Sequence, residues 1–201
     1  DVTGEPVAIL VQTDYDRPRI VSTGLVDAPL IAHDASWAPM DKIYHREKNI
    51  QQIGALIDRR WQVRMPDLTF SERVLLKKGR REIHIVYAGG HSPATSMVYL
   101  PEEDLIMTGD LLYNEQHPSM EYAQSRAWLN ALTRLRRLKV DTVVPGHGNI
   151  CDLEATYLLS EYIRDLRARV RQSFRDGRSK SETSRAVIPE FMDAFPHPEE
   201  R

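Results

Sequence analysis

Gly89-Gly90-His91-Ser92-Pro93-Ala94-Thr95 is the stretch on which the reading of this chain turns. It follows residues 83–87, which with residues 74–76 flank Lys77-Lys78-Gly79-Arg80-Arg81 in a hairpin pattern with glycine in the turn. The paired glycines let the backbone turn sharply and present His91 at a strand end. Two later stretches repeat that placement. Thr108-Gly109-Asp110 follows the apolar residues 105–107, and Val143-Val144-Pro145-Gly146-His147-Gly148 closes the apolar run 140–144. Imidazoles and carboxylates on short loops at one edge of a sheet can converge on a metal ion at about 2.0–2.2 Å.

The rest of the chain alternates strands and helices around these loops. Residues 7–12 form a short continuous apolar run that predicts a buried strand, and residues 30–32 predict another. Ile43, Ile50, Ile53, Ile57 and Trp61 recur at helical spacing and predict a long helix over 40–61. Residues 97–100 predict a further strand. A helix over 122–138 is expected to bury Ala127, Trp128, Ala131, Leu132, Leu135 and Leu138. Asp152 reads as the N-cap of an Arg-rich helix reaching Phe174, and a last helix is expected over 181–195.

Composition narrows the class. A chain of 201 residues with 41% apolar content suits one domain with a sizeable core, so 1–201 is read as a single domain and 178–201 as its C-terminal helical extension. A net charge of −2 supplies no global attraction to nucleic acid or to an anionic membrane, and neither is expected as a partner. No apolar run approaches the ~18 residues of a membrane span. One cysteine, Cys151, excludes an internal disulfide framework; its default role is packing. A cytoplasmic location is expected.

Gly-Gly-His91-Ser-Pro-Ala-Thr, Thr-Gly-Asp110 and Pro-Gly-His147-Gly resemble the third, fourth and fifth motifs of the metallo-β-lactamase superfamily in order and strand context. Asp27-Ala28-Pro29-Leu30-Ile31-Ala32-His33 is similar to the strand after that family's first ligand loop. The resemblance spans roughly residues 7–174. It implies an α/β fold, an αββα sandwich, with one or two metal ions at the sheet edge. It also implies kinship with lactamases, thioesterases, lactonases and phosphodiesterases.

The family's first motif is a threonine followed by His-x-His-x-Asp-His. Here Thr13-Asp14-Tyr15-Asp16-Arg17-Pro18-Arg19 stands in its place. In that register the two leading histidines become Asp14 and Asp16, the aspartate becomes Pro18 and the last histidine becomes Arg19. One metal site would then hold Asp14, Asp16 and His91, with Asp110 as a bridge. Those ligands suit Mg²⁺, Mn²⁺ or Fe²⁺ better than zinc held by nitrogens. The other would hold Pro18, Arg19, Asp110 and His147. Proline offers no ligand, and a guanidinium keeps its proton. Arg19 is expected to fill the second site by pairing with Asp110.

The expected cofactor is therefore none, or a single divalent ion (Zn, Mn, Fe or Mg), and not a dinuclear zinc centre. Two functional readings follow. In the first, a protein with a degenerate site serves binding or assembly. In the second, Asp14, Asp16, His91 and Asp110 hold one ion that still activates water, with His147 or His117 carrying protons. The loop after Asp110 overhangs the cleft, and Asn114 and His117 are its expected ligand contacts. Only residues 1–12 precede the first motif, where the family has several strands. The N-terminal strands are expected to be missing from this sequence, or to be supplied by another chain. Expected partners are a small molecule or such a chain, with an oligomer possible.

Overall fold

The computed structural model describes residues 4–15, 20, 23–53 and 63–192. Three parallel strands form one sheet in the order β1 (Leu10–Gln12), β2 (Leu30–His33), β3 (Leu68–Phe70). Five strands form the other, in chain order: β4 (Arg73–Lys78), β5 (Arg81–Tyr87), β6 (Ser96–Leu100), β7 (Leu105–Tyr113) and β8 (Thr142–His147). β4 to β7 pair antiparallel, and β8 lies parallel to β7. The helices are α1 (Trp37–Ile53), α2 (Ser125–Leu135), α3 (Ala155–Arg175) and α4 (Lys180–Met192).

Side-chain alternation along the strands builds the layers. Ile31 and Phe70 of the first sheet pack against Ile85 and Val98 of the second, so the two sheets meet face to face. The neighbouring residues point outwards. Leu30 joins Met40 and Ile43 of α1, while Met97 and Ile106 join Trp128, Leu132 and Leu135 of α2 and Leu159 and Ile163 of α3. Helix, sheet, sheet, helix is the αββα sandwich expected from the motifs.

Several boundaries differ from the sequence reading. The first strand is shorter than residues 7–12, and Val7 and Ile9 stand exposed rather than buried. β1 has one hydrogen-bonded neighbour among the described residues, so its other edge carries no ladder there. β3 has no counterpart in the sequence reading: Leu68-Thr69-Phe70 is too short to show a period, and it is a strand because β2 supplies its ladder. Residues 54–61 of the helix expected over 40–61 lie outside the described residues. Glu154, not Asp152, occupies the N-cap of α3; the Asp152 carboxylate instead accepts the Glu154 N–H at 2.8 Å, just ahead of the helix. The 77–81 turn is solvated, with Lys77 paired to Glu82 at 2.8 Å and Arg81 to Glu103 at 3.2 Å.

Glycine is required where the ligand loop meets α2. Gly90 has φ +103°, and a Cβ there would lie 2.7 Å from the Trp128 Cα. The Trp128 indole N–H donates to the Leu111 carbonyl at 2.8 Å, which ties α2 to β7 directly beneath the loop. Gly90→Ala is expected to cost about 1–3 kcal/mol through overpacking and backbone strain. A lowered urea midpoint at unchanged m-value checks this.

Candidate metal centre

Asp14 lies immediately beyond β1 and is 1% exposed. Water cannot solvate its carboxylate, so protein donors must. They do so fully. Oδ1 accepts the Tyr15 N–H at 2.8 Å and the Ser92 hydroxyl at 2.6 Å. Oδ2 accepts the Thr95 hydroxyl at 2.8 Å and His91 Nδ1 at 2.9 Å. Three of the four donors belong to the Gly-Gly-His-Ser-Pro-Ala-Thr stretch. The Ser96 N–H donates to the Thr13 carbonyl at 2.8 Å and completes the seam.

Asp110 reaches the same place from the other side. The sequence places it on a loop after residues 105–107, but β7 continues to Tyr113, and Asp110 sits in an irregularity of the strand. Gly109 pairs with Pro145 and Tyr113 with His147, so Asp110, Leu111 and Leu112 face the single Gly146 of β8. Such a bulge bends the strand and re-aims a side chain. Gly146 leaves the room: a Cβ there would collide with Asp110 Oδ1 and lie 2.6 Å from the Gly109 carbonyl carbon. Thr13 occupies the space where Gly109, at φ +51°, would carry a Cβ.

His91 stands between the two carboxylates, its Nδ1 at 2.9 Å from Asp14 Oδ2 and 3.9 Å from Asp110 Oδ2. Asp14, His91 and Asp110 are all buried, and one ligand atom from each lies within 4.8 Å of the others. This group could hold a metal ion. An ion there would compete for oxygens and a nitrogen that the protein already uses. His147 is adjacent rather than included: its Nε2 is 3.4 Å from Asp110 Oδ1, and its ring stacks on Tyr113 at 4.5 Å. The Asp16, Pro18 and Arg19 positions, and with them the expected Arg19–Asp110 pair, lie outside the described residues.

A cleft of about 490 Å³ opens over the group, lined by His91, Asp110, His147, Tyr113, Tyr122 and the loop residues 116–119. His117 lies in this lining, and it also touches the Tyr162 hydroxyl at 3.4 Å and the Met192 carbonyl of α4 at 3.3 Å. Asn114 does not line the cleft. Its amide donates to the Asn149 carbonyl at 3.0 Å and its backbone N–H to the His147 carbonyl at 2.9 Å, which braces the 146–149 turn. The sequence reading passes over Ser92 and Thr95 as site residues and misses Tyr113. A signal exists for the first two, because a buried carboxylate opposite a Ser-x-x-Thr turn needs their hydroxyls.

The region 22–147 matches the model of the metallo-β-lactamase superfamily. The chain belongs to this superfamily. Among solved structures, a metallo-β-lactamase from Pontibacter korlensis is similar at 22% identity and TM-score 0.60, over 81% of this chain and 72% of that one. A metallo-β-lactamase family protein from Thermus thermophilus is similar at 18% identity and TM-score 0.71, over 91% and 69%. An archaeal superfamily protein from Sulfolobus tokodaii gives 14% identity and TM-score 0.55, over 81% and 68%. At such identities the likeness concerns the fold. Among the described residues no helix is long and apolar enough to cross a membrane.

Two outcomes follow from the site. Asp14→Ala strands three buried side-chain donors and is expected to cost about 3–5 kcal/mol of stability, measured by urea unfolding; loss of under about 1 kcal/mol would contradict a tie through Asp14. Cys151, whose backbone bridges to Val143 of β8, has its thiol pushed up to about 11 from 9.0, by burial first and then by Asp152. It therefore stays protonated at neutral pH, and iodoacetamide is expected to label it slowly until urea unfolds the chain.

Proposed function

We propose that this chain is a metallo-β-lactamase-fold protein whose inherited dinuclear site has degenerated, and that it acts as a binding or assembly subunit. The observation that carries the reading is the saturation of Asp14. A carboxylate offers about four lone-pair sites, and four protein donors occupy them. The residue in place of the first histidine ligand thus works as a tie between loops. The chain's Pro18 and Arg19 support the same reading, since neither side chain can donate a lone pair to an ion. The cleft over His91, Asp110 and His147 is of a size for a small-molecule ligand. A protein chain pairing along the edge of β1 is the alternative occupant of the subunit role.

The second reading is a divergent mononuclear hydrolase acting on an ester, thioester, lactone or phosphodiester bond. The close, buried Asp14–His91–Asp110 group supports it, with Asp16 as the additional ligand of the sequence reading. A hard divalent ion in such a group supplies a bound water whose pKa is lowered towards about 7. The chain's own part would be to hold the carboxylates dry and to move a proton. His147, partly exposed and 3.4 Å from Asp110, is placed to do so, and His117 lines the same cleft.

The decisive experiment loads the purified protein with Zn²⁺, Mn²⁺, Fe²⁺ or Mg²⁺, measures bound metal by elemental analysis, and assays the four bond types. The expected result is no stoichiometric metal and no turnover above background, with Asp110→Ala unchanged in both. One ion per chain, lost together with activity in Asp110→Ala, would establish the mononuclear reading instead. Two ions per chain would overturn both.

A further inference from the structure

Four arginines from two helices line one groove on the face of α2 and α3, enclosing about 390 Å³. Arg126 and Asn130 lie one turn apart on α2, while Arg164, Arg167 and Arg171 recur on one face of α3. None of these residues lines the cleft over His91 and Asp110.

Neighbouring arginines show what a structurally committed guanidinium looks like in this molecule. Arg134 donates to the Ala88 carbonyl at 2.7 Å. Arg136 donates to the Thr156 hydroxyl at 2.8 Å and lies 4.0 Å above the Tyr157 ring. Arg169 pairs with Glu190 of α4 at 3.1 Å. The four groove arginines differ. Among the described residues none of their guanidinium groups has an ion pair or a hydrogen bond to the protein. Glu161 and Asp165 share α3 with them but pair with none.

Like charges gathered in one groove repel one another, so folding alone gives no reason to leave them uncompensated. Each guanidinium presents a planar fork of five donors that matches phosphate oxygens two at a time. Four such forks offer more donors than the oxygens of a single phosphate use. We propose that the groove binds an anion carrying two or more linked phosphate groups, bridging Arg126 of α2 and the arginine row of α3. The protein's net charge of −2 makes this a local feature and not a consequence of a basic surface.

Isothermal titration of the full chain with inorganic triphosphate tests the groove, with sulfate at matched ionic strength and a short single-stranded RNA as parallel arms. Saturable binding of one triphosphate per chain is expected, weakening as salt rises. Arg164→Ala/Arg171→Ala changes two exposed side chains, and its fold is checked by circular dichroism. It is expected to lose about tenfold or more in affinity, whereas Arg81→Ala, at an arginine already paired with Glu103, leaves binding unchanged. Absence of triphosphate binding overturns the proposal. So does equal binding of sulfate, retention of affinity in the double variant, or binding of RNA with triphosphate silent. The readout involves no metal and no turnover, so its failure is distinguishable from failure of the functional reading above.

Discussion

The arrangement of the site depends on one buried carboxylate. Asp14 joins the end of β1 to the turn after β5 by accepting from Ser92, Thr95 and His91 at 2.6–2.9 Å. These contacts cross 77 to 81 positions of sequence and link strands of different sheets. Hydrogen bonds to an ionised acceptor are roughly twice as strong as neutral ones, and burial removes the competing water. The same contacts hold the His91 ring between Asp14 and Asp110. The protein's own donors thus hold the two loops together at this point.

Glycines let the opposing side close. Gly146 vacates the space that Asp110 Oδ1 enters, and Gly109 vacates the space taken by Thr13. The bulge between β7 and β8 lets Asp110, Leu111 and Leu112 pass opposite one residue, so Asp110 turns inward while the pairing resumes at Tyr113 and His147. Fold and site are thus one construction. The strand irregularity that aims the carboxylate also sets where the His147 ring stacks on Tyr113.

Much of this is legible in the residues. The glycines beside His91, Asp110 and His147 and their shared position after apolar runs point to one sheet edge and one family. The helices carry their apolar faces openly: Trp128, Leu132 and Leu135 are fully buried as their spacing requires. β3 is illegible because three residues display no period, and its ladder comes from a strand more than thirty positions away. The direction of the Asn114 side chain is not legible, because a loop's position in sequence does not reveal which way a side chain turns. The amide donates to the Asn149 carbonyl across 35 positions of sequence.

By itself the sequence determined the superfamily and the αββα class, and it set Asp14 where the family's first motif carries a histidine. Those are matters of residue identity and order, which local chemistry constrains directly. Tertiary structure alone decided what Asp14 does. From the sequence it was an available ligand. In the fold it is a saturated acceptor, because its four donors come from its own neighbour and from a turn on the other sheet. Which donors surround a buried carboxylate depends on residues far away in sequence, and only the packed chain brings them together.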